Sequence, residues 1–142
     1  YGYSRKLGTG LAIVAKQRTG DSTVDAFSVV GDVKGCDVLM IDDMTATGGT
    51  LSAAAKLCRD HGAKSVHAFV SHFPLTAKGE DRLMKETQLD ELVVTDSIPL
   101  RPGFDPNKLP FKLTCLSVAP LIGEAIKRIH CDASVNDLFN HE

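Results

Sequence analysis

Asp42 and Asp43 stand side by side at the end of an apolar run, Val38-Leu39-Met40-Ile41, and a short loop rich in threonine and glycine follows them. Adjacent carboxylates accept hydrogen bonds only, which suits them to the hydroxyls of a sugar. Thr47-Gly48-Gly49-Thr50 offers closely spaced backbone N–H groups and two hydroxyls, and neither glycine carries a side chain that would keep a phosphate away. A helical pattern follows the loop and directs its N-terminal partial positive charge at the same spot. Acids for sugar hydroxyls beside a nest for a phosphate describe a sugar-phosphate site. The same residues also fit an ordinary strand, turn and helix with an acidic turn.

The elements that must position these groups alternate between apolar strands and amphipathic helices, the signature of an α/β fold with a mostly parallel sheet flanked by helices. Leu11–Ala15 reads as the first strand and Lys16–Ser22 as a polar segment after it. Ala26–Val30 is a second strand, and Cys36–Ile41 is a central strand whose apolar run suits burial on both faces. The acid pair then falls at the carboxyl end of that strand, where ligands sit in open α/β sheets. Leu51, Ala54, Ala55 and Cys58 recur at helical spacing, with Gly62 as the terminator. Ser65–Ser71, Leu92–Thr95 and Leu113–Leu116 complete the strands, and Ala77–Glu86 is helical. Pro99 to Pro110 holds four prolines and one glycine and reads as a surface loop. Pro120 suits the first turn of a helix reaching about His130, with Leu121, Ile122, Ala125, Ile126 and Ile129 on one face. Ser134–Phe139 is a short amphipathic tail.

Size and composition narrow the function classes. The chain has 142 residues, 43% hydrophobic and 24% charged, which fits one globular domain over 1–142. A net charge of −2 gives no broad electrostatic footprint for nucleic acid. No apolar run approaches the ~18 residues of a membrane span. Cys36, Cys58, Cys115 and Cys131 show no metal spacing and no disulfide density; the first three lie in or beside apolar segments and read as small hydrophobes. A reducing cytoplasm is the expected setting. Tyr1–Gly8 lacks an initiator Met and reads like the last turns of a helix closed by Gly8, so a piece of a longer protein, with an amino-terminal part absent, is expected.

Val38 to Thr50 resembles the phosphoribosyl-diphosphate loop of type I phosphoribosyltransferases and of the ribose-phosphate pyrophosphokinase family. Leu11–Arg18 is similar to that pyrophosphokinase family's strand leading into a catalytic Lys-x-Arg loop. Leu92–Leu100, Leu116–Ile129 and Ser134–Phe139 resemble its carboxyl half. The resemblance implies a type I phosphoribosyltransferase-like fold and transfer of diphosphate from ATP to ribose 5-phosphate. It implies that Asp42 and Asp43 orient the ribose while Ala46, Thr47, Gly48, Gly49 and Thr50 hold the 5-phosphate. Lys16 and Arg18 would stabilise the transferring group, Arg18 also lying toward ribose 5-phosphate. Mg2+ would neutralise the triphosphate, its main ligands falling in the absent half and none being assigned in this chain. A full-length homo-oligomer that binds neither nucleic acid nor membrane completes the picture.

Alternatives stand beside that picture. Taken alone, Lys16 and Arg18 read more readily as solvated loop charges, and the phosphate loop downstream turns the balance toward a catalytic role. Ala46 stands where many pyrophosphokinases carry an acid, and adenine phosphoribosyltransferases often carry Ala there. Ser134, Asn136 and Phe139 fall in a region that helps form a regulatory nucleotide site in phosphate-activated members. Asn136 replaces a usual Ser, and the tail fits equally a helix docking Val135, Leu138 and Phe139. His72 reads as structural, with a place beside the nucleotide site as its other role. A base-using phosphoribosyltransferase and a non-catalytic regulatory subunit are the competing functions.

Overall fold

Four parallel strands bring the acid pair to one edge of a sheet whose core lies on one side. In the computed structural model the residues described are 2–18 and 25–139, and of residues 16–18, 25–27 and 86 the backbone alone is described. The order is α1 (Gly2–Leu7), β1 (Ile13–Arg18), β2 (Asp25–Val30), β3 (Asp37–Met44), α2 (Gly49–Asp60), β4 (Ser65–His72), α3 (Ala77–Glu86), β5 (Glu91–Thr95), β6 (Lys112–Leu116) and α4 (Ala119–His130). Short 3-10 turns occupy Pro106–Lys108 and Asn136–Leu138. The parallel sheet runs β3-β4-β5-β6, and β1 pairs with β2 in a separate antiparallel ribbon. None of the helices is long and apolar enough to cross a membrane.

The core forms where one face of the sheet meets two helices. Val66, Ala68 and Val70 of β4 and Leu92 and Val94 of β5 alternate onto that face, fully buried. Against them pack Leu51, Ala55 and Cys58 of α2 and Leu83 of α3. The four residues expected on the inner face of α2 are all buried there. Each fully buried aliphatic side chain contributes roughly 1.5–3 kcal/mol of transfer free energy. The proline-rich segment does run over the surface, with Leu100 exposed, but Phe104 and Leu109 turn inward. Leu109 is buried, and Phe104 meets Phe73 edge-on at 6.3 Å between ring centroids.

Three expectations need correction. β3 lies at an edge of the sheet and is not central, and Leu39 (49% exposed) and Ile41 (37%) show that it is not buried on both faces. The reason is that α2 and α3 cover the face carrying Val38 and Met40, whereas the alternate residues of β3, β4 and β5 stay half-buried or exposed. The ribbon β1–β2 is also separate from the parallel sheet. Its first strand continues through Lys16, Gln17 and Arg18, set opposite Phe27, Ala26 and Asp25, so backbone pairing overrides the polar character that suggested a loop. The rest of the expected polar segment, Thr19 to Ser22, lies outside the described residues. Of the cysteines read as small hydrophobes, Cys58 alone is buried; Cys36 precedes the edge strand β3 and Cys115 sits on the other edge strand, β6, and both are exposed.

Asp90 ties this sheet together at its amino edge. Its Oδ2 accepts the Val66 N–H at 2.7 Å and an Arg59 guanidinium N–H at 2.5 Å. The Val66 amide and the Arg59 charge hold its carboxyl below the usual range. An acid with a depressed folded-state value adds stability that is complete at neutral pH and fades as pH falls through that value. Asp90→Asn should therefore cost about 1–2 kcal/mol near pH 7, with the gap to wild type closing below about pH 4. Denaturant melts at both pH values check this, and equal costs at each would refute it.

Candidate functional site

Asp42 and Asp43 belong to the last residues of β3, which runs three positions past the expected strand end to reach Met44. Strand alternation then sends their carboxylates to opposite faces. A sugar touching both must sit across the end of the strand. Asp42 accepts the Asp43 N–H through its Oδ1 at 2.9 Å. Partial desolvation pushes the Asp42 carboxyl above its usual range, and the neighbouring Asp43 carboxylate adds to the rise, while the Asp43 N–H opposes it.

After the acids, the chain descends into the turn. Thr45 is buried, and its N–H donates to the His72 carbonyl at 3.2 Å. Thr47 and Thr50 are exposed on either side of a buried Gly48. Gly48 adopts a left-handed conformation (φ 66°) as the N-cap of α2. No side chain caps α2, and no acid occupies its first turn. The leading amide groups of an uncapped helix have no intrahelical acceptor, and an anion is among the few partners that satisfy them.

A feature the sequence reading missed is that α3 forms the bed of this turn. Thr76, the N-cap of α3, donates both its backbone N–H (2.9 Å) and its hydroxyl (3.1 Å) to the Ala46 carbonyl. A Cβ on Gly79 would lie 2.5 Å from that same carbonyl oxygen and 3.1 Å from the Thr47 Cα, so the helix approaches to backbone contact. Leu83 packs under Gly48, and the Arg82 guanidinium occupies the space that a Cβ on Gly49 would need. The signal was present as Thr76, Gly79 and Leu83 on one helical face, but it pointed to a partner 30 residues away. Arg101 on the proline-rich segment pairs with Glu80 of α3 and steadies the bed from outside.

The remaining expected residues are placed less centrally. Lys16 and Arg18 lie on the β1 backbone, and their side chains are outside the described residues. His72 is exposed with Nδ1 2.9 Å from the Ser97 hydroxyl, which also bonds the Ser71 carbonyl; this gives the ring a structural partner. In the tail, Arg128 binds the Ser134 carbonyl (2.9 Å) and Asp137 (3.1 Å), and the Ser134 hydroxyl accepts the Asn136 N–H at 3.2 Å. Val135 and Leu138 are half-buried while Phe139 is 75% exposed, so the expected docking of all three apolar residues is incomplete.

Among the described residues no three His, Cys, Asp or Glu side chains gather to hold a metal. Mg2+ is usually held by one or two carboxylates together with substrate phosphates and water, so the acid pair by itself assigns no metal site.

Comparison with known proteins follows from this geometry. The family model described as phosphoribosyl synthetase-associated domain matches residues 13–140. A ribose-phosphate pyrophosphokinase of Gloeobacter violaceus is 44% identical over 138 residues, covering 96% of this chain and 40% of its own. One from Rhodopirellula baltica is 42% identical over 139 residues, covering 97% and 42%. The solved structure of phosphoribosylpyrophosphate synthetase from Mycobacterium smegmatis superposes with a TM-score of 0.77 at 33% identity, over 93% of this chain and 41% of that one. The chain thus spans about two-fifths of the length of the relatives it matches.

Proposed function

The chain belongs to the phosphoribosyl synthetase-associated domain family, and from that premise we propose that it is the carboxyl-terminal domain of a ribose-phosphate diphosphokinase. The reaction moves the β,γ-diphosphoryl group of ATP onto the anomeric hydroxyl of ribose 5-phosphate, giving phosphoribosyl diphosphate and AMP. What carries this reading is the uncapped start of α2 at Gly48–Gly49, set directly behind two acids at the carboxyl end of a parallel strand. The names of the relatives at 42–44% identity agree with it.

In this reading the 5-phosphate sits on the backbone N–H groups of Thr47 to Thr50, and the ribose hydroxyls donate to Asp42 and Asp43 across the end of β3. Lys16 and Arg18 meet the diphosphoryl oxygens as charge moves onto them. Mg2+ bound with the triphosphate supplies charge neutralisation, and no ligand to it is assigned among these residues. The exposed apolar face of α4, Leu121, Ile122, Ile126 and Ile129, supports a homo-oligomeric full-length protein. A cytoplasmic setting belongs to the same proposal.

Titration calorimetry of the full-length protein tests the site. Ribose 5-phosphate should bind, and Asp42→Ala with Asp43→Ala should weaken it by roughly tenfold or more. Equal binding by the double variant would remove the acids from the site. Nucleotide formation from phosphoribosyl diphosphate and a free base would instead establish a base-using phosphoribosyltransferase.

A further inference from the structure

The candidate phosphate seat carries no basic residue of its own, since Thr45 to Ala53 contains neither Lys nor Arg. The bed helix brings one to it. Arg82 is half-buried, and its guanidinium lies where a Cβ of Gly49 would stand, with Cζ 3.6 Å and the Thr47 hydroxyl oxygen 3.7 Å from that point. A long basic side chain on a surface helix ordinarily reaches outward to water. This one is laid against the glycine that opens α2, beside a threonine hydroxyl belonging to the same turn.

We propose that Arg82 is the cation of this seat, a residue on α3 laid against Gly49 that adds a guanidinium to the backbone donors for a phosphoryl group. The inference rests on the turn being a phosphate seat. It explains why glycine stands at position 49, where any side chain would displace the guanidinium. It also divides the work between elements: α2 contributes directional N–H groups, and α3 contributes the Arg82 side chain. A guanidinium also presents planar paired donors that a phosphoryl group can accept.

The test uses the full-length protein with inorganic phosphate and ribose 5-phosphate, titrated calorimetrically at several salt concentrations. Arg82→Gln should weaken both ligands by roughly tenfold or more and flatten the dependence of affinity on salt. Arg82→Lys should restore the salt dependence and part of the affinity. A purely structural arginine would lower the melting temperature and leave the salt dependence alone, and that result would overturn the proposal. Should Arg82→Gln not fold, the wild-type protein decides: the Arg82 Nε–H resonance should shift on adding inorganic phosphate, and an unmoved resonance at saturation would overturn the proposal. The two readings fail separately. Inorganic phosphate binding that needs Arg82, without preference for the sugar phosphate, would sustain Arg82 and sink ribose 5-phosphate as the ligand. Ribose 5-phosphate binding indifferent to Arg82→Gln would do the reverse.

Discussion

Lys16→Ala in the full-length protein should lower kcat by about 10²–10³-fold while the affinity for ribose 5-phosphate stays within about twofold. The diphosphoryl group gains charge on its bridging and equatorial oxygens as its bond to the α-phosphate breaks, and a cation placed there acts mainly on the transition state. In the proposed arrangement the ground-state sugar phosphate would instead be held by the turn and the acids on a different element. Placing Lys16 on β1, outside the sheet that carries the turn, is consistent with that division. Steady-state kinetics with direct binding measurements separate the outcomes. A raised KM with intact kcat would reassign Lys16 to ground-state binding, and unchanged kinetics would make it a solvated strand charge.

Gly79→Ala should be nearly as damaging although the residue touches no ligand. Its new Cβ would meet the Ala46 carbonyl oxygen at 2.5 Å and the Thr47 Cα at 3.1 Å, both backbone atoms of the turn. Side chains can swing away from a clash; a turn pinned by two hydrogen bonds from Thr76 cannot. Overpacking of this kind costs about 1–3 kcal/mol, and the strain falls on the segment that must present its amides. Ribose 5-phosphate affinity should fall by roughly tenfold or more, out of proportion to the loss of melting temperature. Lys78→Ala, one residue away on the exposed side of the same helix, serves as the comparison and should leave both unchanged. An unaltered affinity in Gly79→Ala would show that the turn is not braced by α3.

The local parts of this site were legible because they depend on residue types at short spacing. An apolar run, two acids and a Gly-Gly pair specify strand, turn and helix within thirteen residues, and the structure places β3, the turn and α2 there. The α2 face was equally readable from Leu51, Ala54, Ala55 and Cys58. What escaped was everything set by distant partners. Nothing in Thr76 or Gly79 announces Ala46, which lies 30 residues earlier. Apolar residues in β3 show that burial is favourable but not which neighbours exist, so an edge strand looked like a central one. Lys16 to Arg18 looked like a loop because polarity was read without the facing strand that holds it.

The two bonds from Thr76 to the Ala46 carbonyl fix more than an oxygen. That carbonyl and the Thr47 N–H belong to one peptide plane, and no peptide among the described residues is cis. In a trans plane the two groups point in opposite directions. Clamping the oxygen toward α3 therefore turns the Thr47 amide away from the helix. The plane cannot rotate without breaking both bonds, so this donor is aimed before any anion arrives and its ordering is already accounted for in folding. If the turn is the proposed phosphate seat, its binding strength is coupled to the integrity of the α3 N-terminus: whatever frays that helix end releases the plane, and the seat loses its orientation without any change to a residue that a ligand touches.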